Sequence, residues 1–327
     1  MCKKLMFAAA FAAMALTGCN KENVETSHSE QNAEMIQLTV NVPVSTKSVM
    51  ESDESAITNL QIMVFDANGV LEGYRNTTST SVTITCTSGQ KTIAAFANAP
   101  DFGNVTKLAD MYKMKSQLVS QSPTFLCMEG YVTKNLEASS TVNIALRRMV
   151  AKISIKSVMN LFELKQHQDM EFKITSIYLV NVPGECMFMA DPDVYVPELW
   201  FNKKSNEKAY PHIYDEISGG EKIEYAMEYS QEHYFYCYPN VVEDDIHGGE
   251  GWSPRKTRLV VEATLGGSTY YYPITLDRVD QNTYYSYKLD ITRPGSSSPD
   301  IPVDDSAMTF NVVVEDWNTY PTVLETI

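Results

Sequence analysis

Apolar and polar residues alternate one for one along many short stretches of this 327-residue chain, a side-chain period that belongs to half-buried β-strands. Ile36, Leu38, Val40 and Val42 alternate with Gln37, Thr39 and Asn41. The same pattern recurs in Leu60, Ile62 and Val64, in Val82, Ile84 and Cys86, in Val142, Ile144 and Leu146, and in Ala151, Ile153 and Ile155. Residues 91–99 read as a fully buried strand stopped by Pro100. Further strands are expected at 172–182, 258–265, 269–276, 283–291 and 308–316. Residues 45–58 and the segment Pro294 to Pro302 are polar and are expected as exposed loops. Residues 186–255 are irregular, rich in Pro, Gly and charge, and are expected to hold long loops. One helix is expected at 106–119, with Leu108, Met111, Tyr112 and Leu118 near one face. Many short strands with few helices predict an all-β fold of antiparallel β-sandwiches. Arg147-Arg148 marks the middle, so the chain divides into an N-terminal sandwich over 36–148 and a C-terminal one over 149–327.

The N-terminus carries an address. Lys3 and Lys4 precede an almost wholly apolar run from Leu5 to Leu16, followed by Leu16-Thr17-Gly18-Cys19. This is a signal peptide, residues 1–18, ending in a lipobox. Cys19 is the expected lipidation site, and residues 19–35 read as a flexible polar tether. The mature chain then holds 309 residues with 24 basic against 41 acidic side chains, a formal charge of −17. Such a surface repels nucleic acid, so acyl chains rather than charge are expected to hold it to a membrane. No later apolar run is long enough to span one.

Signals for chemistry are sparse. Cys86, Cys127, Cys186 and Cys237 are widely spaced without a C-x-x-C pair, which argues against zinc or redox work, and Cys86 reads as a small buried hydrophobe. None of the five histidines has metal-pair spacing, and no metalloprotease, nucleophile-elbow or phosphate-loop motif occurs. No enzyme activity, metal or cofactor is expected. Tyrosines crowd His233 to Tyr238, Tyr270 to Tyr272 and Tyr284 to Tyr287. They read either as cross-strand aromatic pairs or as a platform for sugar rings.

Several segments, in order, resemble the fimbrillin family of Bacteroidales: the lipobox at 16–19, IQLTVNVPV followed by a basic residue, NLQIMVFDANGVL, KTIAAFANAP, NIALRRMVAKISI at mid-chain, and TFNVVVEDWN near the end. The resemblance implies two tandem transthyretin-like β-sandwich domains. It implies a structural, cell-surface fimbrial subunit serving adhesion, exported to the outer membrane as a lipoprotein precursor. It also implies assembly by strand exchange. A trypsin-like protease cuts after the first strand, that strand leaves with its lipid, and a strand of another subunit fills the slot.

Mapped here, the removable strand carries Ile36, Leu38, Val40 and Val42, and the cleavage candidate is Lys47 in Ser45-Thr46-Lys47-Ser48. Relatives often carry arginine there, so an arginine-only protease has no site at Lys47 and a lysine-tolerant one is implied. Lys47 also reads as an ordinary solvated loop lysine. The candidate donor strand is Met308 to Trp317, with Phe310, Val312 and Val314 on one face; it reads equally as the closing strand of the second domain. The partners implied are other fimbrial subunits, the maturation protease and a membrane through the lipid. The competing class is a monomeric surface glycan-binding lipoprotein. Exchange requires that the first strand be a provisional occupant: a central strand whose loss dismantles the sandwich rules it out.

Overall fold

The computed structural model describes residues 34–43, 54–191, 194–203, 211–243, 252–303 and 308–317. The expected signal peptide at 1–18, Cys19, residues 20–33 of the expected tether and Lys47 lie outside the described residues; the tether is shorter than expected, because Met35 already pairs with Thr87 in the first strand. The chain is nearly all β, as its alternation predicts. Fifteen strands of four residues or more are described, and the first fourteen form one seven-strand pattern twice.

The first set is β1 (Met35–Asn41), β2 (Leu60–Phe65), β3 (Leu71–Thr77), β4 (Ser81–Thr87), β5 (Gly89–Ala97), β6 (Met128–Leu136) and β7 (Ser140–Asn143). They make two sheets, ordered β4-β1-β7 and β3-β2-β5-β6. The second set is β8 (Ala151–Asn160), β9 (Phe172–Val180), β10 (Tyr214–Lys222), β11 (His233–Cys237), β12 (Arg258–Leu265), β13 (Ser268–Thr275) and β14 (Thr283–Ile291). Its sheets run β11-β8-β14 and β10-β9-β12-β13, the same order seven strands on. β15 (Met308–Asp316) is additional: it pairs antiparallel with the outer edge of β14 and ends that sheet.

Most neighbours are antiparallel, but β1 with β7 and β8 with β14 are parallel. In each set the first and last strands lie side by side, with the other five as the crossover between them, which antiparallel hairpins alone do not produce.

Local chemistry fixes the turns. Asp66 Oδ1 accepts from the N–H groups of Asn68 (2.9 Å) and Val70 (2.7 Å), and Gly69 takes the left-handed conformation (φ 73°) that closes the β2–β3 turn. The two-residue β12–β13 hairpin has Gly266 and Gly267 at φ 57° and 86°, the positive pair that a tight, right-twisting hairpin needs.

β2 is buried along its whole length. Leu60, Ile62 and Val64 face β1 with Ile93, Ala95 and Ala97 of β5, whereas Met63 and Phe65 face a second cluster continuous with the C-terminal set. There Phe188 meets Phe96 and Phe102 edge-on, at centroid distances of 5.6 and 5.0 Å. Covering both faces explains why KTIAAFA is a near-continuous apolar run, and it corrects the half-buried reading of Leu60, Ile62 and Val64: Gln61, Met63 and Phe65 on the other face are buried as well.

The expected helix at 106–119 is four residues, Leu108–Met111, with no side-chain cap. Lys115–Gln117 instead pairs as a strand with Glu185–Met187, and Leu118–Ser120 is a 3-10 turn. Strand pairing across the chain overrides the helical spacing. The segment 294–302 is also less exposed than expected. Asp300 accepts from Arg255 Nη1 (2.6 Å) and Arg258 Nη1 (3.0 Å), both arginines buried, and Ser296 bridges to Tyr271. Nor is all of 45–58 an exposed loop: Glu54 is buried.

Candidate assembly site

β1 occupies a two-walled slot. Its alternation sends Ile36, Leu38, Val40 and Val42 inward, each 4% exposed or less, onto Leu60, Ile62, Val64, Ile93 and Ala95. Leu38 lies opposite Ile84 of β4 and Ser140 of β7; Val40 lies opposite Val82 and Val142. At roughly 1.5–3 kcal/mol per fully buried side chain, these four contribute about 6–12 kcal/mol before ordering costs.

The outer face is tied by polar groups. Gln37 Nε2 donates to Thr85 Oγ1 at 3.0 Å, Thr39 and Thr83 hydroxyls meet at 3.1 Å, and Asn41 Nδ2 donates to Asn143 Oδ1 at 3.3 Å. Beyond the strand ends, Ser88 N–H donates to Glu34 O (2.7 Å) and Val42 N–H to Thr80 O (2.8 Å). β1 is therefore flanked on both sides, which meets the first half of the condition that would rule exchange out. A central slot also gives any replacement two ladders of backbone hydrogen bonds instead of one. Whether the sandwich survives the vacancy is then a question of energy.

β15 differs. On the face it shares with Tyr285, Tyr287, Leu289 and Ile291 of β14, Phe310, Val312 and Val314 remain 42–55% exposed. Val313 on the other face is also exposed. One ladder holds the strand, and the Phe310 ring meets Tyr287 at 6.0 Å. Set side by side, Met308-x-Phe310-x-Val312-x-Val314 has the apolar spacing of Ile36-x-Leu38-x-Val40-x-Val42.

The tyrosine clusters are turned inward. Tyr236, Tyr238, Tyr272, Tyr284, Tyr285 and Tyr287 are buried, and Tyr234, Tyr270 and Tyr271 are half-buried, so no open ring platform for sugars forms among them. His233 is bound to Tyr229 OH (2.6 Å) and Asp215 Oδ2 (2.9 Å). All four cysteines of the folded body are free thiols, and burial pushes Cys127 up to about 12 and raises Cys86, which keeps both unreactive. Among the described residues no three His, Cys, Asp or Glu side chains converge as a metal site.

Residues 36–163 match the family model described as "Major fimbrial subunit protein (FimA)". The chain is 21% identical to the Porphyromonas gingivalis "Major fimbrium subunit FimA type-2" over 97% of its own length and 98% of that protein's. A crystal structure of a fimbrilin from P. gingivalis W83 superposes with a TM-score of 0.65 at 18% identity, covering 86% of this chain and 97% of that one. A protein assigned to cell adhesion from Bacteroides eggerthii gives 0.65 at 15%, covering 87% and 97%. The tip fimbrial protein Mfa3 of P. gingivalis gives 0.56 at 14%, covering 87% and 100%. The fold is that of fimbrial structural proteins. The chain is thus similar to fimbrial subunits over residues 36–163 in sequence, and it shares the fold of the solved fimbrilin.

Proposed function

We propose that this chain is a strand-exchanging subunit of a cell-surface adhesive fimbria, exported as a lipoprotein through Cys19. A trypsin-like protease cuts after Lys47, β1 leaves with the lipid, and β15 of a second copy or a related subunit enters the slot between β4 and β7. The observation that carries this reading is the contrast between two strands of matching pattern. The apolar set of β1 is fully buried, whereas that of β15 is half-exposed at a sheet edge. Moving Phe310, Val312 and Val314 into such a slot buries the exposed half of each, at about 1 kcal/mol per side chain, and adds a second ladder. The repeated seven-strand pattern supports the division into domains at 148/149, and it makes β15 a spare strand. Without β15 the second set keeps the same strand complement as the first.

The test is limited digestion of purified lipid-free precursor with a trypsin-like protease, followed by N-terminal sequencing and native electrophoresis. The proposal predicts a new N-terminus at Ser48 and a ladder of oligomers. An uncut protein, or a cut one that stays monomeric with β1 bound, contradicts it.

A further inference from the structure

The chain end just beyond β15 is gripped by residues from distant parts of the sequence. Trp317 is 6% exposed. Its N–H donates to Asn282 O at 3.0 Å, and its carbonyl accepts from Arg148 Nη1 at 3.3 Å. The Arg148 guanidinium carbon lies 4.5 Å from the indole centroid, and the Tyr236 ring stacks on the indole at 5.8 Å and 13°. Both groups lead to one residue. Arg148 Nε donates to the Glu54 carbonyl at 3.1 Å, and Tyr236 OH donates to Glu54 Oε1 at 2.6 Å. That carboxylate also takes Lys152 Nζ at 2.7 Å, in an ion pair with both side chains buried. Asn282 completes the grip: its backbone carbonyl holds Trp317, its side-chain carbonyl accepts from Arg148 N–H at 3.0 Å, and it sits at φ 57°.

β15 alone offers little to hold it. It has one ladder, and its side chains from Thr309 to Glu315 are all exposed. Such an edge frays unless its end is pinned. We propose that Trp317 is a latch retaining β15 on its own sheet in the uncut precursor. Arg148 and Tyr236 form its keeper, and Glu54 ties that keeper to the stretch of chain that follows Lys47 in the sequence. This rests on the donor reading of β15 and adds a control to it: the strand is withheld until the grip on Trp317 opens. Glu54 stands seven residues after Lys47, so the polypeptide that becomes the new N-terminal region after cleavage is the one that touches the keeper.

Hydrogen exchange on the uncut full-length precursor tests the latch. Trp317→Ala is expected to speed exchange of amides 309–315 by tenfold or more, leaving β8 and β12 unchanged. Trp317→Phe, which keeps a ring over the guanidinium, is expected to restore most of the protection. Arg148→Met keeps the indole and removes the guanidinium; it reads the same amides if Trp317→Ala does not fold. After cleavage, Trp317→Ala is expected to assemble several-fold faster than wild type. Unchanged exchange at 309–315, or acceleration spread evenly over β8 to β14, overturns the latch and makes Trp317 an ordinary core residue. Loosening of 309–315 with no polymer from either protein supports the latch and overturns the donor reading instead.

Discussion

Val312→Asp separates the two roles β15 can have. In the precursor Val312 is 42% exposed at a sheet edge, so the substitution forfeits about half the burial of a valine, on the order of 1 kcal/mol, and leaves the carboxylate in water. In a neighbour's slot, in the register that matches Met308 to Ile36, Val312 takes the place of Val40, which is 0% exposed. The whole burial is then lost, roughly 1.5–3 kcal/mol. The carboxylate must also lose its charge. Protonating a group of pKa ~3.9 at pH 7 costs about 4 kcal/mol. The sum, about 6 kcal/mol, weakens the junction by roughly four orders of magnitude. The charge component shrinks by about 1.4 kcal/mol per pH unit, so protein cut at pH 7 and moved to pH 5 should regain about a hundredfold. Thermal melts of the precursor and native electrophoresis of the cut protein read the two effects separately. Wild-type assembly by the variant at pH 7 refutes the donor assignment. A precursor destabilised by 3 kcal/mol or more (order of magnitude) makes β15 a closing strand of its own domain.

Two further predictions concern the body of the fold. Glu129 is buried on β6, accepting from Met189 N–H at 2.7 Å and Gln281 Nε2 at 3.3 Å, and burial raises its carboxyl above the usual range. The folded state thus holds this proton more tightly than the unfolded one. The associated stability is complete at acid pH below the unfolded value and is lost as pH rises through the raised folded value. Glu129→Gln should remove that decline from a melting curve taken across pH 4 to 8, and parallel curves for the two proteins contradict this. A Cβ built on Gly130 would stand 2.3 Å from Ala145 O and 2.9 Å from Ile144 Cγ2. Gly130→Ala should therefore cost about 1–3 kcal/mol in denaturant titration, and no change in midpoint contradicts the packing.

Two kinds of strand were legible in the sequence. β1 and β4 announce themselves by alternation because one face of each is wet, and β8 does so by alternating Lys152, Ser154 and Lys156 with apolar residues although Lys152 and Ser154 are buried; β5, buried on both faces, announces itself as a continuous apolar run. β10 escaped: Tyr214–Lys222 is a polar edge strand interrupted by Gly219 and Gly220 at positive φ, and it buries too little to leave a pattern. The helix at 106–119 misled because half-buried Leu108 and buried Met111 belong to a single helical turn and buried Leu118 to a separate 3-10 turn, and the three happen to share a helical spacing. For the candidate site, the inward set of β1 and the apolar set of β15 could be read directly. That β1 is central, with a parallel partner in β7, could not, since register across 102 residues leaves no local trace. The Trp317 grip was equally silent: Glu54 sits in a polar run, and a buried acid there looks like any loop residue until Lys152 and Tyr236 close on it.

The decisive measurement is displacement of β1 from cut protein. A fluorophore placed on the first strand reports its departure, and a free peptide of residues 308–317 acts as the incoming strand. The account predicts that the peptide drives the labelled strand out while the body keeps its circular dichroism and its amide protection in β2 and β5. If the labelled strand leaves only when β2 and β5 unfold with it, the first strand is a permanent part of the sandwich and assembly by exchange is contradicted.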